Sequence, residues 1–501
     1  MLTFQLGFHP TGKDQMVVLT VRDACLRLLR LRSLTLALEG VARKPDMTSI
    51  LVKGGIVVTM DPNRRILEDH SVVVEDGKFR AIGKTSDITR DWKADEVVDA
   101  SGGIVMPGLI CSHTHLYGIL LQGAKLDIHP PSDFTQILQR VWWPVDENLT
   151  FEDAYASALV GCLELLKTGT TTFADTYSGP NSIEGVLDKI AKAVDEVGIR
   201  GLVAFEATER HSKEEGGRGV QENARFAARV KEDRRSKATP LFSLHASFTV
   251  TDELIQSTRR LASNYGAPVT IHTCEGLGDL QHNIERYGKR TLERLRDVGL
   301  LGPDVVLAHC VHVNDNDLDI IAKSGAKVAH NPMSNMLNAV GTAPVLSMLR
   351  HGISVGLGND GYIFDGFENM RAAFLIHRAV SRDPNAIDAY TVLEMATIRG
   401  AELYGLANQL GSIEVGKKAD LIIVKPDVLP TPLSSDSVVG HLINGTEGRD
   451  VRTVIVDGRI LMKDRAVTTV DEAEVQRKAQ ASAAGLWERL RTVKPQVDLV
   501  T

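Results

Sequence analysis

The sequence predicts an α/β protein, a (β/α)8 TIM-like barrel that interrupts a small β-sandwich formed from its N- and C-terminal flanks. Three observations carry that prediction. Eight short apolar segments alternate with helical ones between residues 108 and 358. Six of those segments end at or beside a histidine or an aspartate. Short alternating strands, a different texture, gather at the two ends of the chain.

The N-terminal flank reads as strands at 50–52, 56–58, 71–75, 78–82 and 96–99. Asp76-Gly77 stands where a tight hairpin needs positive φ. The same texture returns at 419–424 and 451–459, which places both flanks in one sandwich. The barrel strands are expected at 108–115, 170–175, 201–206, 241–245, 268–272, 304–309, 326–330 and 353–358. They lack the period-2 polarity of a half-exposed sheet, as strands covered by outer helices should. Helices are expected at 151–166, opened by the capping pattern Thr150-x-x-Asp153, and at 182–197, 252–265 and 279–298. Eight strand–helix units close a barrel. An open doubly wound sheet is the alternative, but no G-x-G-x-x-G follows an early strand. The expected domains are 47–104 with 410–466 for the sandwich, 105–409 for the barrel, and 467–501 for a C-terminal helix and tail.

Residues 1–46 differ from the rest. They hold an Arg-studded leucine run at 22–38 without a clean signal-peptide core or cleavage site. They are expected to be an upstream extension outside the fold, with the fold starting near Met47. A transit peptide is the alternative, but Asp14, Asp23 and Glu39 interrupt its positive charge.

Composition narrows the function. With 43% hydrophobic and 24% charged residues the 501-residue chain is an ordinary folded protein. A net charge of −7 argues against a nucleic-acid partner, which would need a basic face. Five cysteines, odd in number and never spaced C-x-x-C, argue against a disulfide framework or a thiolate zinc site and fit a cytoplasmic protein. The longest uncharged run, 100–124, contains Pro107, two histidines and five glycines. It reads as a buried strand and loop, so no membrane partner is expected.

Strand C-termini of a barrel converge on one mouth, where active sites are built. There the sequence places His113 and His115, Asp175, His245, His272, His309 and His330, and the eighth strand runs into Gly358-Asn-Asp360. Taken singly, each has a bland reading. His-x-His is a common pattern, Asp360 could be a turn residue, and His312 reads as a surface histidine. Together they are more specific. Positions i and i+2 of a strand face the same side, so both imidazoles of His113-Thr-His115 can reach one ion. Three imidazoles and a carboxylate suit Zn2+ with a position left open for water, and the ion makes that water a nucleophile near pH 7. Glu275 and His309 are then free for proton transfer and for polarising the substrate.

The ordered set Pro107-Gly-Leu-Ile-Cys-Ser-His-Thr-His, His272-x-x-Glu275, His309-Cys and Gly358-Asn-Asp360-Gly resembles the zinc-dependent amidohydrolase superfamily. Within it the chain resembles the chlorohydrolase and aminohydrolase branch, which includes cytosine, guanine and S-adenosylhomocysteine deaminases. The stretches at 131–143, 330–341 and 356–361 are similar to the SsnA-like aminohydrolases associated with selenium metabolism.

This resemblance implies that His113, His115, His272 and Asp360 bind one divalent metal, Zn2+ first, with Fe2+ or Mn2+ as alternatives. It implies that Glu275 shuttles a proton from the attacking water to the substrate nitrogen. Asp360 shares the first proton abstraction, and His309 orients the water or holds the substrate. Binuclear relatives carry a carboxylated lysine at the end of the fourth strand. His245 stands there instead, which implies a single metal and makes His245 a substrate contact. Many deaminases of the branch carry Leu-Arg-Gly after the His-x-His, where this chain has Leu121-Gln122-Gly123. An amide suits a neutral ring edge better than an acidic group. Gln122 is therefore an expected substrate contact beside His245; Ser334, Asn335 and Asn338, just past the seventh strand at the mouth, read as substrate contacts, with loop-fixing hydrogen bonds as the alternative.

Trp142 and Trp143 read as lid or core packing more than as a stacking platform. Asp175 and His330 read as structural, and Cys274 and Cys310 need no nucleophilic role. The expected activity is release of ammonia from the C–NH2 carbon of a heterocyclic or amidine-type small molecule. Hydrolysis of another C–N bond, such as a cyclic amide, is the alternative with the same machinery. A catalytically dead scaffold is the alternative of another class. A homo-oligomer is implied by the resemblance alone.

Overall fold

Eight parallel strands wind in chain order around the barrel: β1 (Leu109–Thr114), β2 (Thr170–Tyr177), β3 (Arg200–Ala207), β4 (Phe242–Ala246), β5 (Val269–Thr273), β6 (Val305–His309), β7 (Lys327–His330) and β8 (Val355–Leu357). All eight lie where the sequence placed them. Each pairs in parallel with the next, as in β5 to β6, where His272 stands opposite Ala308. This computed structural model describes residues 49–492 except 234 and 428. The expectations for residues 1–46 and for the end of the C-terminal tail lie outside the described residues.

The barrel closes between β8 and β1 through the backbone beyond β8 rather than through a strand ladder. The amides of Asn359 and Asp360 both donate to the carbonyl of His113, at 2.9 and 3.2 Å. A Cβ on Gly358 would stand 2.6 Å from that same carbonyl oxygen, so the approach requires glycine.

Outside the barrel, the helix Phe151–Lys167 opens with the expected capping box. The Thr150 hydroxyl accepts from the Asp153 amide at 3.2 Å, and the Asp153 carboxylate accepts from the Thr150 amide at 2.9 Å. The single helix expected at 279–298 is instead two, Leu277–Tyr287 and Thr291–Asp297. Gly288 ends the first with φ of 63°, a left-handed C-terminal position. The uncharged run at 100–124 holds two strands rather than one. Ile104–Pro107 belongs to the sandwich, and β1 follows directly after Gly108.

The sandwich has two sheets. Four strands, Lys78–Lys84, His70–Glu75, Ile50–Lys53 and Glu96–Asp99, make one. The seven-stranded sheet joins both flanks, because Leu421–Val424 runs antiparallel to Ile104–Pro107. Val57, Val72, Val74, Phe79, Val105 and Ile423 fill the core between the sheets. Asp76 and Gly77 form the expected hairpin turn, with φ of 53° and 72°. The C-terminal helix Glu472–Thr492 packs on Phe151–Lys167, where Arg489 pairs with Asp153.

One ion-pair cluster fastens the sandwich to the N-terminal end of the barrel. Arg200, at the start of β3, is buried and reaches Asp420 at 3.4 Å and Asp457 at 2.8 Å. Asp420 also accepts from the Asp457 amide at 2.8 Å. Removing the cation would strand a buried carboxylate. Arg200→Met is expected to cost about 3 kcal/mol of stability, read as a lower urea midpoint.

Candidate active site and metal centre

The C-terminal ends of the barrel strands bring the predicted histidines and Asp360 to one point. One ligand atom from each of His113, His272, His309 and Asp360 lies within 4.8 Å of the others. His113 Nε2 is 3.0 Å from Asp360 Oδ1, and His115 Nε2 is 3.3 Å from the same oxygen. His309 Nε2 lies 3.7 Å from it and 3.4 Å from Glu275 Oε2. Asp360, His309, Cys274 and Cys310 all hold positive φ, between 51° and 72°, although none is glycine. Such backbone strain gathers where side chains must be aimed.

The hydrogen bonds fix the tautomers. His115 Nδ1 donates to the Thr176 carbonyl and His272 Nδ1 to the His245 carbonyl, each at 2.8 Å. A carbonyl can only accept, so both protons sit on Nδ1 and both Nε2 atoms are left as lone pairs. Those two Nε2 atoms face each other at 3.2 Å. Opposed lone pairs at that distance need positive charge between them. A proton on one ring is the smallest answer, and a divalent ion serves both rings and Asp360 together. The donor set therefore fits a metal.

Electrostatics agree. Burial pulls the imidazole of His113 down to about 3 and those of His272 and His309 down to about 4, the neutral state that a ligand requires. His115 moves the other way, to about 10: burial opposes its charge, but Asp360 and Glu206 outweigh burial. The cage thus attracts a cation. Glu275 is pushed well above the carboxylate range by burial first and by Asp360 second. Cys274 and Cys310 are buried, and burial holds both as thiols.

The cage opens into a cleft of about 720 Å3. His115, His272, Glu275 and Asp360 form its metal end, and Phe134, Leu138, Trp142, Trp143 and Phe248 form an apolar wall. The wall between Phe134 and Asn148 includes a π-helical turn at Leu138–Trp142, a distortion common at functional sites. Both tryptophans, read from sequence as lid or core packing, line the cleft. Trp142 meets Tyr117 and Tyr362 edge-on, and Trp143 lies under the Arg210 guanidinium.

The expected substrate contacts separate into two groups. His245 and Asn338 line the cleft. His245 Nδ1 is 2.8 Å from Thr249 Oγ1, and Asn338 Nδ2 donates toward Glu275 Oε1 at 3.5 Å. Ser334, Asn335 and Gln122 lie outside the lining. Ser334 donates to Asp360 Oδ2, and Asn335 Oδ1 accepts from His309 Nδ1 at 2.8 Å. These two hold the metal site rather than face the cleft. Gln122, just past the 3-10 turn Leu116–Leu121, is exposed and donates to the Tyr362 carbonyl at 3.3 Å. Asp175 accepts from the Leu116 amide at 2.8 Å, and His330 Nε2 lies 3.1 Å from His377 Nε2.

Sequence reasoning missed two buried carboxylates. Glu206, at the end of β3, lines the cleft beside His115, His245 and His272. The strand-end rule that selects the histidines would have selected it too. Asp146 sits in the helical segment before Phe151 and gives no comparable signal. It accepts from Tyr117, Ser178 and Arg210 at 3.0, 3.1 and 2.8 Å, and burial lifts its carboxyl to about 6 although Arg210 opposes the shift.

Comparison with known proteins gives a consistent picture. The amidohydrolase family matches residues 104–461. The 5'-deoxyadenosine deaminase of Methanosarcina mazei is 38% identical over 454 residues, covering 89% of this chain and all of that protein. The 5-methylthioadenosine/S-adenosylhomocysteine deaminase of Syntrophobacter fumaroxidans is 32% identical over 457 residues, covering 89% of this chain and 98% of that one. Among solved structures, a zinc-bound adenosine deaminase from Xanthomonas campestris superposes with a TM-score of 0.80 at 28% identity, over 89% of this chain and 99% of that one.

The facing Nε2 atoms generate a direct test. Zinc added to chelator-treated protein is expected to raise the thermal midpoint, with about 2.7 kcal/mol gained at a hundredfold excess over Kd. His272→Ala removes one of the two lone pairs, and its midpoint is expected to respond little to zinc. Equal responses from both proteins would remove His272 from the metal site.

Proposed function

The chain belongs to the amidohydrolase family, and on that basis we propose that it is a zinc-dependent deaminase of adenine nucleosides of the 5'-deoxyadenosine kind. One observation carries the reading: Glu275 lies between the metal cage and the apolar cleft, 3.4 Å from His309 Nε2. That is where a group must sit to pass a proton from water to a ring nitrogen. The similarity to adenine-nucleoside deaminases supplies the substrate class and favours ammonia release over cyclic-amide hydrolysis. A dead scaffold would have lost members of the set, whereas His113, His115, His272, Glu275, His309 and Asp360 are all retained in the sequence.

His113, His115, His272 and Asp360 would hold the zinc, with His309 beside them. When bound, zinc supplies a Lewis acid that makes water nucleophilic near neutral pH. The protein's own groups do the rest. Asp360 accepts a proton from the attacking water, with Ser334 fixing its second oxygen. Glu275 carries a proton to the ring nitrogen as the tetrahedral centre forms, and Asp360 passes its proton to the amino group as the C–N bond breaks and ammonia leaves. His309, oriented by Asn335, faces both carboxylates and holds the water's line of approach. The aromatic wall of Phe134, Trp142 and Phe248 accepts a flat base and excludes bulk water.

The described cysteines are free and buried. Among the described residues no helix is long and apolar enough to cross a membrane. Our reading adds a cytoplasmic location, one zinc per chain and a homo-oligomeric state.

Zinc-loaded protein is expected to release ammonia from 5'-deoxyadenosine, with the adenine absorbance shifting to that of hypoxanthine. Silence on a panel of adenine nucleosides would return the substrate to other ring systems. Metal analysis of the purified protein is expected to give near one equivalent, and two tightly held equivalents would contradict a single site. Glu275→Gln is expected to keep its zinc and lose at least about 10²-fold in kcat. Near-normal turnover would remove Glu275 from the proton path.

A further inference from the structure

Glu206 is a buried carboxylate with no part in the proposed proton transfers. It stands near the end of β3 with 1% of its surface exposed. Oε2 has no hydrogen-bond partner. Arg210, whose charge reaches Glu206, is bound to Asp146 at 2.8 Å. Burial keeps the carboxyl raised although the charge of His115 and a side-chain hydrogen bond from Thr176 favour the carboxylate, and a carboxylate so buried is costly unless positive charge lies close by.

Its neighbours show where that charge belongs. Oε2 is 3.7 Å from His115 Nδ1, Oε1 is 3.6 Å from His272 Nδ1, and Oε1 is 3.8 Å from His245 Nε2. The first two are the back edges of the two imidazoles whose Nε2 atoms face each other at the cage. Both Nδ1–H groups already donate to backbone carbonyls, so Glu206 does not set their tautomers. Its distances exceed hydrogen-bonding range, and its action on the rings is electrostatic, through a dry interior where charge is weakly screened.

We propose that Glu206 is a positioning residue for the metal: a shared counter-charge behind His115 and His272 that strengthens both rings as donors and offsets the dication charge left over by Asp360. Two rings polarised by one carboxylate place the benefit in metal affinity before any substrate enters. The inference rests on the reading that the cage holds a metal. It gives Glu206 no direct contact with substrate.

The test is the isosteric Glu206→Gln in the full-length protein, with zinc affinity measured by chelator competition and thermal unfolding measured with and without zinc. Removing the carboxylate is expected to weaken zinc binding by about 10- to 100-fold, the usual scale for a group that supports metal ligands from behind. Without zinc, Glu206→Gln is expected to unfold cooperatively with a midpoint close to that of wild type, so that the loss is read in zinc binding. Glu206→Asp keeps the charge and is expected to lose less affinity than Glu206→Gln. Wild-type zinc affinity in Glu206→Gln would overturn the proposal, and so would a metal-free variant unable to fold. Equal losses in the Asp and Gln variants would also overturn it. A raised KM with unchanged zinc affinity would make Glu206 a substrate contact instead. If wild-type protein takes up no zinc, the metal reading itself fails and this inference with it.

Discussion

Everything at the active mouth depends on how the barrel closes. The two amides after β8 converge on a single acceptor, the carbonyl of His113, and the missing side chain at Gly358 lets them arrive. That joint brings Asp360 against His113 across 247 residues of sequence. It also ties ligand geometry to fold geometry, since the atom that closes the barrel belongs to a residue of the cage. A barrel sprung open at this seam would lose its carboxylate ligand and its first strand's alignment in the same event. Closure and metal binding are therefore expected to stabilise each other.

Behind the cage stands a layer whose members seldom reach the cleft. Ser334 fixes Asp360, Asn335 fixes His309, and the Thr176 and His245 carbonyls fix the two facing imidazoles. These contacts leave the ligands little rotational freedom, so the site is preorganised before any ion or substrate arrives. The division of labour follows the topology. Strand ends supply the imidazoles and carboxylates of the cage, while the loops beyond β7 and the helical segment before Phe151 supply props and walls.

The barrel was legible because buried parallel strands have a plain texture and because their chemistry sits at one end. His113, His115, His272, His309 and Asp360 could be placed together from order alone. Side-chain direction was not legible. Ser334 and Asn335 carry groups suited to a substrate, and only the fold shows them turned toward Asp360 and His309. Gln122 lies seven residues from His115 in sequence, yet it is exposed just past a 3-10 turn. The helix break at Gly288 escaped notice because the apolar periodicity continues on both sides of it. Glu206 escaped because attention to histidines hid a carboxylate obeying the same positional rule.

The passage from Ile104–Pro107 through Gly108 into β1 has a consequence for biosynthesis. Ile104–Pro107 takes its antiparallel neighbour from Leu421–Val424, more than three hundred residues later. A ribosome releases the first strand of the catalytic barrel early, but the sheet strand that leads into it stays half-paired until nearly the whole chain has emerged. Such a chain cannot fold piece by piece from its N-terminus. The two flanks can pair only after the second has emerged, and until then an apolar sheet edge is open to wrong partners. The ion cluster around Arg200 forms in that same late step, since Asp420 and Asp457 arrive with the second flank.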